Sequence, residues 1–156
     1  MNNKNQPKEK LTSVLAGVAG EYFVAAELTA RGYIASITLR NTKGVDILCS
    51  NADASMAVAI QVKTNSKSSR DWLLNEKSEN YYADNLFYVF VNLNNNQKTP
   101  DYFIVPSKTV ADYIKKSHQS WLTSPGRAGQ IHKDTKMRKF SDVGEKYLNR
   151  WDLLGL

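Results

Sequence analysis

Apolar residues recur at helical spacing near the start of the chain: Leu11, Val14, Leu15, Val18, Tyr22, Ala25 and Ala26 fall three or four apart up to Arg31. Gly32 follows at once, a helix-stop signal with Arg31 in the last turn. The pattern then shortens to that of strands. Tyr33–Leu39, Val45–Cys49 and Met56–Lys63 read as three strands, with turns at Asn41–Gly44 and Asn51–Ser55. After the polar loop Thr64–Arg70 comes a short apolar piece, Trp72-Leu73-Leu74, whose type the pattern leaves open. A helix is expected around Glu76–Ala83, and a strand pair at Leu86–Leu93 and Asp101–Val105 across the Asn94–Pro100 turn. Ser107 is expected to cap a helix running to about Lys116. An irregular basic stretch precedes a last helix near Asp142–Arg150 and the apolar tail Trp151–Leu156. This order predicts an α/β or α+β fold with a central mixed sheet flanked by helices.

At 156 residues the chain is expected to be one domain over 11–156, behind a disordered lead-in at 1–10. That length buries enough apolar surface to fold without disulfides or a structural metal. With 42% apolar and 23% charged residues the composition is that of a globular protein, which excludes a disordered one. No apolar run approaches the roughly 18 residues of a membrane span. The opening MNNKNQPKEK lacks the apolar core of a secretory signal. The lone Cys49 cannot form an internal disulfide, and no Cys/His cluster has zinc-finger spacing. A cytoplasmic protein without membrane contact is the expectation.

Charge narrows the partner. The net charge is +6, which favours acidic partners and nucleic acid first. Between Lys108 and Lys139 lie eight basic residues and two acids, so this stretch alone accounts for that excess. Lys108, Arg127, Lys133, Lys136, Arg138 and Lys139 are therefore candidate phosphate contacts, and Lys67 and Arg70 join them from the Thr64–Arg70 loop.

Three features carry candidate chemistry. Strand Ala57–Lys63 alternates, so Gln61 and Lys63 share one face while Val58, Ile60 and Val62 share the other. Asp46 interrupts an apolar strand start directly after the Lys43-Gly44 turn. In isolation it is an ordinary turn carboxylate. Glu21 falls on the row Val14, Val18, Glu21, Ala25, the flank of a face expected to pack on the sheet. A buried carboxylate there needs a lysine, backbone donors or a metal as partner. Gly17 and Gly20 just before it allow the helix close approach to a neighbour.

In order and spacing, the GVAGEYFVAAEL helix, the NTKGVDIL strand and the VAIQVKT strand resemble the PD-(D/E)XK nuclease superfamily, in particular its Holliday-junction-resolvase-like and Mrr-like restriction branches. The match covers about the Leu11–Thr64 third of the chain. It implies a restriction-endonuclease-like core whose second and third strands diverge and carry the site. It also implies Mg2+ or Mn2+ held by Asp46, Gln61, the Val62 carbonyl and Glu21, with Lys63 orienting or deprotonating the attacking water. Val45 stands where many members have proline, and Gln61 where the eponymous pattern has Asp or Glu, as in a known Gln-bearing branch. An amide oxygen ligates a hard cation but brings no charge.

The expected function is Mg2+-dependent hydrolysis of DNA phosphodiester bonds in restriction, repair or recombination, by a homodimer or with a partner subunit supplying specificity. A nuclease fold without catalysis, used for DNA or protein binding, is the alternative that Gln61 keeps open. A third is an interaction protein using the aromatic strand pair. Trp72 and Trp121 are read as core residues or base-stacking platforms. His118 and His132 are read as surface groups, Trp151 as the anchor of the tail, and Cys49 as a buried, inert thiol.

Overall fold

The computed structural model describes residues 11–39 and 44–156, so the expected lead-in and most of the Asn41–Gly44 turn lie outside the described residues. Helix α1 (Ser13–Ala30) starts at Thr12, whose side chain accepts from the Leu15 N–H, and stops where Gly32 takes a φ of +88°. Strands β1 (Ile34–Ile37), β2 (Ile47–Ser50), β3 (Ala57–Asn65), β5 (Leu86–Asn92) and β6 (Asp101–Pro106) form one five-stranded sheet in the order β1-β2-β3-β5-β6. β3 and β5 run parallel; every other neighbouring pair is antiparallel. The mixed sheet is as the pattern predicts.

All seven residues of β5 are buried, which is why LFYVFVN reads as a continuous apolar run rather than an alternation. One core lies between the sheet and α1 and gathers Val24, Leu28, Ile47, Ile60, Val89 and Ile104. On the opposite face Tyr88, Phe90 and Phe103 meet Trp72, Phe140 and helix α2 (Ser107–Thr123). Trp72 is a core residue, its indole N–H donating to the Val91 carbonyl at 3.2 Å. Trp151 docks the tail on Tyr102, ring centroids 5.4 Å apart.

Several expectations need correction. The packing row of α1 is Ala16, Gly20, Val24 and Leu28, while Val14, Leu15 and Tyr22 face outward. The small residues face the sheet because a Cβ at Gly20 would collide with the Thr64 side chain of β3. The helix expected near Glu76–Ala83 is a 3₁₀ turn, Glu76–Asn80. α2 extends seven residues past Lys116, and Ser107 does not cap it. Instead the Ser107 hydroxyl exchanges hydrogen bonds with the Ala83 backbone, 3.0 and 3.1 Å.

The last helix is also absent. Residues 142–150 turn irregularly, with Glu145 and Asn149 at φ +54°, and Phe103 and Leu148 form a bridge beside β6. Trp72-Leu73-Leu74 belongs to β4 (Asp71–Asn75), which pairs with β7 (Met137–Ser141) in a separate two-stranded ribbon. β7 lies inside the stretch read as irregular.

Candidate active site

The site follows from a divergence between two strands. β2 and β3 pair from Ser50↔Ala57 to Ile47↔Ile60, and there the ladder ends while β3 continues along β5 as far as Asn65↔Asn92. Asp46 sits at the fork. Its backbone N–H still donates to the Ile60 carbonyl at 2.8 Å. Its carboxylate Oδ2 accepts from the Val62 N–H at 2.7 Å, filling the place a β2 carbonyl would take in a longer ladder. Continuing the register by one residue sets Asp46 opposite Gln61, hence on the face of Gln61 and Lys63.

Gln61 and Lys63 wall a pocket of about 550 Å³. The other wall is the 3₁₀ turn and its flanks, contributing Asn75, Lys77, Ser78 and Tyr81. Gly44 (φ +72°) closes the near end, and any side chain there would strike the Tyr81 ring. Tyr88, opposite Gln61 in register, lies beneath. Burial pushes its hydroxyl above the usual tyrosine value.

Glu21 arrives from the other side. Its neighbour Gly20 lies against Thr64, so α1 crosses β3 one residue beyond Lys63, and Glu21 is half-buried there. Neither Glu21 nor Asp46 forms part of the pocket wall.

Among the described residues no group of three or more His, Cys, Asp or Glu side chains is placed to hold a metal ion. A cation here would therefore depend on Asp46, the Gln61 amide oxygen and the Val62 carbonyl, which points to the same strand edge as the Val62 N–H. Such all-oxygen donors fit Mg2+ or Mn2+ and no softer metal, with one carboxylate fewer than an acidic residue at 61 would give.

The basic candidates divide. Lys139 is exposed on β7, its ammonium 3.6 Å from Asp71. Lys136 lies next to the 3₁₀ turn, its carbonyl accepting from the Glu76 N–H. Lys67, Arg127 and Lys133 are exposed, whereas Lys108 pairs with Asp112 at 2.5 Å.

Arg70 and Arg138, unlike the exposed lysines, are held by carboxylates of the chain itself. Arg70 pairs with Asp101 and Glu145 and lies over the Phe103 ring. Arg138 is 7% exposed, paired with Glu79 and donating to the Thr135 and Met137 carbonyls. The sequence reading missed Asn75, Lys77, Ser78 and Tyr81 as pocket residues. Only the Asn-Glu-Lys-Ser run after a short apolar piece marks them, and it reads equally as a helix start.

No helix among the described residues is long and apolar enough to cross a membrane. No protein-family profile and no curated protein sequence matches the chain. Among solved structures, the bacterial homing endonuclease I-Ssp6803I aligns over 94% of this chain and 94% of its own, with a TM-score of 0.54 and 11% identity. The Hjc Holliday junction resolvase of Archaeoglobus fulgidus aligns over 76% of this chain and 85% of its own, with a TM-score of 0.39 and 12% identity. A mixed sheet forking at Asp46, with α1 on one face and α2 on the other, is thus a restriction-endonuclease-like fold, shared with that homing endonuclease.

Proposed function

We propose that the chain is a metal-dependent DNA endonuclease, using Mg2+ or Mn2+ to hydrolyse phosphodiester bonds in the cytoplasm. The observation that carries this reading is the shared face of Asp46, Gln61 and Lys63 at the fork of β2 and β3. Lys63 presents its ammonium to the pocket, where it can position a water and offset charge building on the phosphate oxygens. Asp46, Gln61 and the Val62 carbonyl would hold the cation, with Glu21 completing the set through the fork from the α1 side. When bound, Mg2+ supplies positive charge against the phosphate and lowers the pKa of water. Lys136, Lys139, Lys133, Arg127 and Lys67 would engage the backbone phosphates.

The test is cleavage of plasmid and branched DNA with Mg2+ or Mn2+, comparing wild type with Lys63→Ala and Asp46→Ala. Lys63→Ala should abolish cleavage and leave DNA affinity little changed, whereas Asp46→Ala should remove both cleavage and divalent-metal binding. Gln61 is the observation that favours a second reading, a nuclease fold that binds DNA without cutting it. Calorimetry showing no Mg2+ or Mn2+ binding to wild type, with DNA present, would establish that reading instead.

A further inference from the structure

Three surface depressions among the described residues run together. The pocket walled by Gln61 and Lys63 passes, at Lys63, into one of about 300 Å³ that Asp71, Trp72 and Leu73 line from the opposite side. Leu73 in turn helps line a third, of about 260 Å³, between the end of α2 and β7. The shared residues make one path, and its floor is the outer face of the β4–β7 ribbon. Asp71, Leu73 and Asn75 alternate onto that face, and register sets Ser141, Lys139 and Met137 opposite them. An ordinary solvated face would be polar throughout. Here Leu73 is 62% exposed at the middle of it, and Met137 nearly as much.

The far pocket is built around an indole. Trp121 is 40% exposed, whereas Trp72 and Trp151 are buried. The His132 ring stacks on it with centroids 4.1 Å apart and planes 25° from parallel, and His118 stacks at 5.5 Å. His118 is itself fixed to the Asp134 carboxylate at 2.8 Å. Leu73 and Met137 give the cavity an apolar base, and Lys139 gives it a cationic rim, its side chain more than half exposed and its ammonium 3.6 Å from Asp71. A flat aromatic wall, an apolar base and a lysine at the rim match a nucleobase with its phosphate, because every base has a π-face and a charged backbone.

We propose that this is a stacking subsite for an unpaired base of the DNA strand that passes Lys63. The strand crosses Leu73, places a phosphate at Lys139 and inserts its base against Trp121, displacing the His132 ring. A base inside a continuous duplex has both faces covered, so the subsite selects DNA with unpaired or extruded nucleotides beside the scissile phosphate. Assigning that phosphate to the Lys63 pocket rests on the nuclease reading. The stacking itself does not.

Binding in EDTA separates the two. Oligothymidylate and a duplex with a single-stranded tail would be titrated into wild type, Trp121→Ala and Trp121→Phe, with a blunt duplex as reference. Trp121→Ala should lose roughly 5- to 150-fold in affinity for the first two and nothing for the blunt duplex. Trp121→Phe should recover most of the loss. Oligothymidylate should also quench wild-type tryptophan emission, a readout independent of any variant's folding.

Equal affinity of wild type and Trp121→Ala for tailed DNA overturns the subsite, as does an equal loss on tailed and blunt DNA or an absence of quenching. Cleavage that survives in such a case leaves the nuclease reading standing. Trp121-dependent binding without cleavage under Mg2+ supports the subsite and removes the nuclease reading.

Discussion

On the proposed reading, charge count at one position would set how tightly the fork holds a cation. Gln61 faces the pocket opposite Asp46, and its amide adds an oxygen without a charge. Gln61→Glu should therefore tighten Mn2+ binding by roughly tenfold or more, since ligand charge tunes affinity at hard-cation sites. Calorimetric titration checks this, and unchanged affinity would place residue 61 outside the ligand set. Cys49 gives a second residue-level expectation, on the opposite sheet face. Burial pushes its thiol up to about 11 from an ordinary value of 9.0. Because the folded value is the higher, the folded chain keeps a proton that the unfolded chain releases. Its contribution to stability is complete below about pH 9 and is lost as pH rises to about 11. Melting temperatures between those limits should fall for wild type and fall less for Cys49→Ala. Tyr102, pushed up to about 12 by burial, should continue the loss at higher pH in both proteins.

At the scale of elements, α1 shows where a sequence pattern misleads. Its larger apolar residues suggested the packing row, but the sheet takes the side with the smaller ones, and that choice rests on Gly20 against Thr64. Gly17, one turn earlier, meets nothing within 4 Å of an added Cβ. Gly17→Ala should therefore gain about 0.5–1 kcal/mol from helix propensity alone. Gly20→Val should instead cost about 1–3 kcal/mol through overpacking. Chemical denaturation of the two variants checks both signs.

The strands of the main sheet were legible because alternation, turns and one continuous apolar run bound them closely. The β4–β7 ribbon was not. Its two strands are five residues each and lie far apart in the chain, and MRKFS places only Arg138 and Phe140 inward. Inward-facing arginine looks like surface until Glu79 is known to meet it. The expected last helix failed for a similar local reason: the Asp142 carboxylate accepts from the Lys146 and Tyr147 N–H groups at 3.0 and 2.9 Å and holds a turn. Gln61 and Lys63 could be placed on one face from strand period alone, whereas Asp46 joined them only through the resemblance, its face being fixed by the antiparallel pairing of β2 with β3. The pocket's far wall depends on a 3₁₀ turn that no periodicity announces.

For the whole molecule, the basic excess is less uniform than its sequence suggests, and the difference is measurable. Lys133, Lys136 and Lys139 are exposed cations, so each neutralised phosphate should contribute about 0.9 to the log–log salt slope of duplex binding. Replacing all three with alanine should flatten that slope by up to about 2.7 on the same scale. Arg138 lies between them in sequence and should behave differently, because its guanidinium ties β7 to Glu79 and to two backbone carbonyls. Removing one partner of a buried ion pair costs about 3–5 kcal/mol. Arg138→Ala should thus lower the unfolding free energy by that order and leave the salt slope of the folded protein unchanged. Fluorescence anisotropy across a salt series, with denaturant unfolding of the same variants, reads both quantities. A slope that drops with Arg138→Ala while stability holds would return Arg138 to the phosphate-binding surface. It would also mean that the Glu79 pair opens to admit DNA, so that the ribbon beside Lys63 moves when the substrate strand arrives.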